Sequence, residues 1–385
     1  LIDRLHIPFL SKKIGQRKSW ILLMQIIIFF ALIFWSFLDP SKNLWLVISV
    51  GLTIAIASAT QDITIDALRI EQVEKHEGRS MAAGAAISVV GWWTGYKIGG
   101  VISLVSANFF QRQGVENYWQ LSFILLTLII FLCSLGLLFV PEKKSDLRQN
   151  LQSLEDKKLI NKLGEKNSFN RLIAWLFGTV ASPLISFFKT NTTKVALGIL
   201  GFIFLFKIGE AFLGRMSIIF YSEVGFSKAD IALYSKGIGW ITTVTFTLLG
   251  GLFAIRMGLL KAMFVSGVIM ALTNLMFSVL AWVGSSEVLF AFTVLLDDLA
   301  AAFATVAFVA FISALVDRTY TATQYALLAS IGTAGRTLFA SSSGALVDWL
   351  NGDWGIFFII TALMVLPSLL CLFLIRNKLK LKFND

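Results

Sequence analysis

The chain has 385 residues, of which 57% are hydrophobic and only 15% are charged, and its mean hydropathy is +0.78. A soluble domain of this length would need more charged side chains to cover its surface, whereas helices that face lipid need none. The composition therefore excludes an ordinary soluble protein. The formal net charge of +10 fits either a nucleic-acid partner or an anionic membrane surface, and the placement of the charges decides between them.

Apolar segments of about 20 residues, long enough to cross a bilayer, follow one another along the chain. We predict ten membrane-spanning helices, at Trp20–Leu38, Leu44–Leu68, Ser80–Ser106, Trp119–Val140, Val195–Tyr221, Ile231–Ile255, Leu259–Val283, Glu287–Leu315, Thr323–Leu350 and Trp354–Ile375. Outside these spans, Lys and Arg fall almost entirely in alternate connections, which predicts that both chain ends are cytoplasmic. This distribution explains the basic charge, so we expect no nucleic-acid partner.

Residues 141–194 separate two predicted helical bundles, 1–140 and 195–375, and a basic cytoplasmic tail follows at 376–385. The first part of the connection is polar. We expect its apolar part, Phe169–Phe188, to form an amphipathic helix in the membrane interface. An eleventh span would place the basic loops that follow on the outside, and a re-entrant pair of helices is the alternative.

The N-terminal loop contains Asp3-Arg4 and, further on, Gly15-Gln16-Arg17-Lys18. This pattern resembles the signature that the major facilitator superfamily carries between its second and third helices. The resemblance implies that the first two helices of the family pattern are missing, and that Asp3, Arg4 and Arg17 bridge helix ends on the cytoplasmic side and stabilise one conformation. A simple basic loop would explain the cations but not Asp3.

The most specific stretch is Ser58-Ala-Thr-Gln-Asp-Ile-Thr-Ile-Asp-Ala-Leu-Arg-Ile-Glu71. It resembles the end of the fourth helix in the AmpG muropeptide permease family, and similar stretches follow in family order at Phe206–Phe212, Val224–Ser227, Asp298–Ala310 and Thr321–Leu328. The resemblance implies an all-helical major facilitator fold of two pseudo-repeated bundles, with ten of its twelve core helices present.

The resemblance also implies a function, namely proton-driven import of anhydro-muropeptides, small molecules released by wall turnover, across a bacterial inner membrane. Acetyl-coenzyme A transporters are relatives of the family, so acetyl-coenzyme A or a peptide is an alternative substrate. A membrane receptor that binds wall fragments without moving them is an alternative of another class. No nucleotide-binding, nucleophile or zinc motif is present, so we expect neither an enzyme nor a cofactor or metal.

Carboxylates inside the spans are candidates for proton coupling, because an intramembrane acid is costly and usually functional or paired. Asp297 and Asp298 lie about 15 Å into their span, close to the midplane. Asp62 lies nearer the cytoplasmic rim, and Glu210 lies near mid-span. The alternative is that these groups are neutralised structurally, by Lys207 or Arg336 for example.

Asp62, Asp66 and Arg69 share one helix face because they are spaced i, i+4 and i+7. We interpret Asp66 and Arg69 as part of the cytoplasmic gate, alongside Asp3, Arg4 and Arg17. A plain salt bridge between Asp66 and Arg69 is the alternative.

Substrate binding is predicted from cations and aromatic rings at mid-span depth. Arg336, Lys207 and Lys97 would bind the carboxylates of a peptide stem, and Arg336 suits this best because its guanidinium binds in a bidentate way. The aromatic side chains of Trp92, Tyr96 and Trp240 offer flat faces for sugar rings. Gln61 is the remaining predicted substrate-binding residue. Charge balance and ordinary helix packing are the alternatives.

Overall fold

The computed structural model describes residues 2–74, 77–142, 154, 168–227 and 239–383, and the regular secondary structure within these ranges is helical. Residues 228–238, which hold the start of the sixth predicted span and Lys236, lie outside the described ranges. The principal helices are α1 Leu10–Ile14, α2 Gln16–Ser36, α3 Leu44–Gln72, α4 Gly78–Arg112, α5 Tyr118–Leu135, α6 Ser168–Asn191, α7 Thr193–Leu205, α8 Ile208–Val224, α9 Gly239–Met257, α10 Leu259–Val283, α11 Glu287–Leu315, α12 Thr321–Ala340, α13 Ser343–Trp349, α14 Trp354–Leu363 and α15 Leu366–Phe383.

Eight segments among the described residues are long and apolar enough to cross a membrane. The other two predicted spans are also helical, α4 over 35 residues and α12 with α13. They are less apolar because they are rich in Gly, Ala and Ser and carry charged residues such as Lys97 and Arg336. An all-helical fold of the kind predicted is therefore confirmed.

The chain forms two compact units. The first comprises Leu1–Gln72, Thr94–Leu184 and Asp317–Tyr325. In it, α2 packs against α3 and α5, and a core of buried apolar residues, Met24, Ile28, Leu32 and Ala57, lies along α2 and α3. The short segment 317–325 comes from the second half of the sequence, so this unit joins residues that are far apart along the chain.

The second unit comprises Val73–Trp93, Ile185–Val316 and Ala326–Asp385. Helix α11 packs against α9 and α10, and α10 packs against α14. A cluster of fully buried aromatic rings forms its core; its members are Phe220, Phe277, Phe290, Phe357 and Phe358. Aromatic edges and faces pair within it, as where the ring centroids of Phe220 and Phe358 lie 4.7 Å apart. This core fixes α8, α10, α11 and α14 around the charged residues described below.

Three predicted spans are interrupted rather than continuous. The span at Val195–Tyr221 ends its first helix at Leu205, and Phe206 and Lys207 form a turn before α8 begins at Ile208. The ninth span breaks at 341–342 and the tenth at 364–365. Just after the break at Lys207, Gly209 approaches the Thr361 carbonyl so closely that a Cβ would lie 2.4 Å from that oxygen. Broken helices at mid-span depth often mark binding sites in transporters.

The described part of the central connection contains one long helix, α6, which includes Pro183. It is a single helix rather than a re-entrant pair, and it is not among the eight segments apolar enough to cross a membrane. Its location in the membrane interface stays a prediction, as do the boundaries predicted for the two bundles, the central connection and the basic tail.

Candidate functional site

The first unit contains a buried ionic network that we call the Arg17 network, formed by Asp3, Arg17, Glu71, Ala322 and Thr323. The Arg17 side chain is 0% exposed, and its Nη2 donates to Asp3 Oδ1 at 2.5 Å and to Glu71 Oε1 at 2.6 Å. One cation thus lies between two carboxylates, one from the N-terminal loop and one from the end of α3. Of the five predicted gate residues, two are joined here.

Asp3 also binds the first turn of α12. Its Oδ2 accepts hydrogen bonds from the Thr323 backbone N–H at 2.8 Å and from the Thr323 hydroxyl at 2.6 Å, and its Oδ1 accepts from the Ala322 N–H. These N–H groups have no partner within their own helix, and the helix N-terminus favours an anion. Burial alone would raise the pKa of Asp3, but Arg17 and the hydrogen bonds from Thr323 outweigh it and hold the pKa below its usual value.

Glu142 closes the N-terminus of α2. Its Oε1 accepts from the Arg17 backbone N–H and its Oε2 from the Lys18 backbone N–H, both at 2.9 Å. Gly15 precedes the helix with a φ of 101°, and a Cβ at this position would lie 2.2 Å from the Glu142 carboxylate. Only glycine leaves room for this capping arrangement.

Two carboxylates lie on one face of α3, Asp66 in an ion pair and Asp62 exposed. Arg69 Nη2 donates to Asp66 Oδ1 at 2.8 Å, so the salt bridge considered from the sequence is present. Asp62, one turn earlier, is exposed and makes no hydrogen bond or ion pair among the described residues. Gln61 is partly buried, and its Oε1 is enclosed without a hydrogen-bond partner there. Arg4 is also partly buried.

In the second unit, the interrupted helix brings together what we call the Lys207 network, formed by Lys207, Glu210 and Thr305. Lys207 Nζ lies 2.9 Å from Glu210 Oε2 and donates to the Thr305 hydroxyl at 2.7 Å. The Lys207 side chain is 10% exposed. Two predicted site residues are thus joined to each other, and a hydroxyl from α11 completes their surroundings.

Asp297 and Asp298 have different environments. Asp297 is partly buried and accepts a hydrogen bond from the Thr273 hydroxyl of α10 at 3.2 Å, while Asp298 is exposed. The ammonium of Lys207 binds Glu210. Lys207 and Glu210 still act on Asp297 electrostatically, so the four charges form one electrostatic group.

Arg336 is exposed and makes no hydrogen bond or ion pair with any residue that the structure describes. Its neighbour Gly335 packs against α7, where a Cβ would lie 2.0 Å from the Phe204 carbonyl oxygen. Since Lys207 follows Phe204 by three residues, Arg336 stands on a helix fixed close to the Lys207 network. It does not neutralise Asp297 or Asp298 here.

The predicted aromatic and cationic residues of α4 and α9 are accessible. Trp92, Tyr96 and Trp240 are 55%, 69% and 40% exposed, respectively, and Lys97 is partly buried. Trp92 makes an edge contact with Trp93, whose ring centroid lies 4.9 Å away. Their exposure suits either lipid or substrate, and their predicted roles stay predictions.

Sequence reasoning missed the polar groups that surround the charged residues. Glu142, Thr323, Thr305 and Thr273 all bind a predicted site residue, and none was singled out. A Thr in an apolar helix commonly donates to a backbone carbonyl one turn earlier, so its presence alone carries no signal. The available hints were the position of Glu142 just after a predicted span and the positions of Thr305 and Thr323 within stretches that carry the family resemblance.

The profile of the Major Facilitator Superfamily matches residues 5–235. A protein of Rickettsia felis named putative transporter AmpG 4 is 30% identical over 378 residues, which cover 98% of this chain and 84% of that protein. The chain belongs to the AmpG-type permeases of the major facilitator superfamily. It is therefore a multi-pass membrane transporter rather than an enzyme, and the resemblance seen in the sequence is confirmed.

Two further similarities extend this assignment. The anhydromuropeptide permease of Escherichia coli strain K12 is 28% identical over 388 residues, covering 100% of this AmpG-type chain and 70% of that protein. Among solved structures, the E. coli fucose:proton symporter FucP has a TM-score of 0.66 at 13% identity and covers 95% of the chain and 85% of that protein. At that identity the likeness shows the fold alone.

Proposed function

We propose that this AmpG-type permease imports anhydro-muropeptides into the cytoplasm by proton symport. The observation that carries the proposal is the similarity along the whole chain to the anhydromuropeptide permease of E. coli. The membrane is the bacterial inner membrane, with the C-terminus cytoplasmic, because the basic connections fall on that side. Lipid contacts the apolar outer faces of the helices.

Arg336 binds a carboxylate of the peptide stem in this proposal. It is an exposed guanidinium without a partner among the described residues, so it has five donors available for a bidentate contact. Lys207 and Lys97 contribute further positive charge, and Gln61 offers an enclosed oxygen without a hydrogen-bond partner in the described part of the chain. Aromatic faces for the sugar rings come from Trp92, Tyr96 and Trp240.

In this proposal, proton coupling is carried out by carboxylates that can exchange one hydrogen-bond or ion-pair partner for another. Asp297 accepts a hydrogen bond from the Thr273 hydroxyl, and Asp298 is exposed. Glu210 can exchange Lys207 for a proton or for substrate. Asp62 lies exposed on α3 and serves as a further proton site. An acid inside a membrane is a functional candidate by default.

The gate is assigned to the residues around the Arg17 network. Asp3 and Arg17 hold the N-terminal loop, the end of α3 and the start of α12 together. Arg4 and the Asp66–Arg69 ion pair support the same region. Opening the pathway on this side requires these bonds to be exchanged for water or for other partners, so the network stabilises one conformation.

The test is uptake of radiolabelled anhydro-muropeptide into vesicles that contain the full-length protein, with an imposed pH gradient and with or without a protonophore. We expect accumulation that the protonophore abolishes, loss of driven uptake in Asp298→Asn, and affinity about 10–100-fold lower in Arg336→Ala, the cost of a lost hydrogen bond to a charged group. Lys42→Ala, which changes an exposed loop cation, is the matched control.

Two results would contradict the proposal. No uptake by a folded and inserted protein would remove the muropeptide as substrate. Uptake that is insensitive to the protonophore would remove the proton as the coupled ion.

A further inference from the structure

The hydroxyl of Thr273 faces two acceptors at once. Its Oγ1 lies 3.0 Å from the Met270 carbonyl oxygen and 3.2 Å from Asp297 Oδ1. Thr273 is 3% exposed, so its hydroxyl is shielded from solvent. A hydroxyl has one proton to donate and two lone pairs to accept. It can therefore donate to only one of the two oxygens at any time.

The choice depends on whether Asp297 carries a proton. When the carboxylate is ionised, the Thr273 hydroxyl donates to it. When Asp297 is protonated, its own O–H donates to Thr273 Oγ1, and the Thr273 proton turns to the Met270 carbonyl. The hydrogen bond between Thr273 and Asp297 is kept in both states, and no heavy atom has to move. A buried polar group left without a partner is destabilising, and Thr273 avoids that penalty in both states.

The hydroxyl of Thr305, on α11, has a fixed orientation and serves as a comparison. Thr305 Oγ1 accepts from Lys207 Nζ at 2.7 Å and donates to the Ala301 carbonyl oxygen at 2.7 Å. An ammonium group can only donate and a carbonyl can only accept, so the Thr305 proton has a single orientation. Thr273 differs because its partner is a group that can either donate or accept.

Among the described residues, three charged side chains act on Asp297. The charged neighbours are Glu210, Asp298 and Lys207, and the phenol of Tyr221 on α8 lies within electrostatic reach. The helices packed against α11 add Arg256 near the end of α9 and Lys261 near the start of α10. Lys261 lies about 18 Å along α10 from Thr273 at the usual rise per residue. Thr273 is the neutral group whose hydrogen bond to Asp297 the structure shows.

We propose that Thr273 is a positioning residue that keeps both protonation states of Asp297 hydrogen-bonded, and so sets the pH range over which the transporter binds and releases its proton. The inference rests on the proposed function, because it takes Asp297 as a coupling carboxylate. It adds a residue that carries no charge and acts only through the orientation of one hydroxyl.

The experiment compares Thr273→Val, which keeps the shape and removes the hydroxyl, with Thr273→Ser, which keeps the hydroxyl. Full-length protein in vesicles is assayed for uptake driven by a pH gradient between pH 5 and 9, and for exchange of internal against external muropeptide. Exchange does not require the proton to leave the carrier, so it reports folding and substrate binding separately from coupling.

We expect driven uptake about tenfold lower in Thr273→Val, with the pH midpoint about one unit higher, because the ionised carboxylate has lost a donor. Exchange should stay within about twofold of the unchanged protein, and Thr273→Ser should restore the pH profile. Thr247→Val is the matched control, since Thr247 is fully buried in α9 and donates to the Thr243 carbonyl at 2.6 Å. Its pH profile should not change.

An unchanged midpoint in Thr273→Val, with Asp297→Asn still unable to drive uptake, overturns the role of Thr273 alone. Protonophore-sensitive uptake in Asp297→Asn overturns the coupling role of Asp297 and this inference with it. If Thr273→Val does not fold, Thr273→Ala provides the same comparison with a smaller side chain.

Discussion

The Arg17 network and the group around Lys207 and Asp297 use similar residues in opposite ways. In the first, Arg17 is enclosed and both oxygens of Asp3 accept hydrogen bonds. In the second, Asp298 and Arg336 are exposed and Asp297 shares one hydroxyl with a backbone carbonyl. A buried, fully bonded network resists change, whereas exposed charged groups can exchange partners at small cost.

The comparison has an energetic basis. Removing one member of a buried ion pair leaves an uncompensated charge and is strongly destabilising, while an exposed charge contributes little to stability. Substitutions in the Arg17 network should therefore change the free energy of unfolding. Those at Arg336 or Asp298 should change transport while leaving unfolding nearly unaffected.

The largest effect is expected from Arg17→Ala, which leaves Asp3 and Glu71 close together without their shared cation. We expect the protein to be less stable by about 3–5 kcal/mol, measured as a lower Tm in detergent. Lys42→Ala is the control, because Lys42 is 83% exposed and lies 3.5 Å from Asp39. Equal Tm values for Arg17→Ala and Lys42→Ala would contradict the structural role of the network.

Asp3→Asn tests the same network through pH. The pKa of Asp3 is lowered in the folded protein, so its contribution to stability is present above the pKa of an unfolded Asp, about 3.9, and is lost as the pH falls through the folded value. We expect Asp3→Asn to be less stable by about 1.5–3 kcal/mol at pH 7. The Tm difference between the two proteins should shrink below about pH 4. A difference independent of pH would show that the charge is not what matters.

Gly335→Ala tests how closely the second unit is packed next to Arg336. The added Cβ would lie 2.0 Å from the Phe204 carbonyl oxygen, so α12 has to shift, at a cost of about 1–3 kcal/mol. Gly344 in α13 is the matched control, because a Cβ there meets nothing within 4 Å. Gly344→Ala should be neutral or slightly stabilising. If both variants have the same Tm, the close approach of α7 and α12 is wrong.

Glu142→Gln should have the smallest effect. It keeps an oxygen for one backbone N–H but removes the negative charge from the N-terminus of α2, which is worth about 0.3–1 kcal/mol. Asp348→Asn provides a control of opposite sign, because Asp348 is exposed in the last turn of α13, where a negative charge is unfavourable. Reduced stability in both variants would point to a general loss of surface charge rather than to capping.

The fold was largely predictable from the sequence because a span is a local property. Length and apolar composition were enough to locate helices such as α3, α10 and α11. The interruptions were not predictable. Just after the turn at Lys207, Gly209 meets the Thr361 carbonyl, a contact that only the packed helices create.

The candidate site was predictable to a smaller extent. An acid or a cation in an apolar span stands out, so Asp297, Lys207 and Arg336 were found from the sequence. Which residue each of them binds could not be read from it, because Thr273 and Thr305 meet their charged partners across 24 and 98 residues of chain. The proposed roles of these residues stay predictions.

The bonds between Asp3 and Thr323 also have a consequence for biosynthesis. The two residues are separated by 320 positions in the chain. At a translation rate of about 5–20 residues per second, Thr323 is synthesised about 16–64 s after Asp3. During that interval the N-terminal loop has Arg17 but no helix end to bind, so a nascent chain that stops short of α12 exposes an acidic group to the membrane insertion and quality-control machinery.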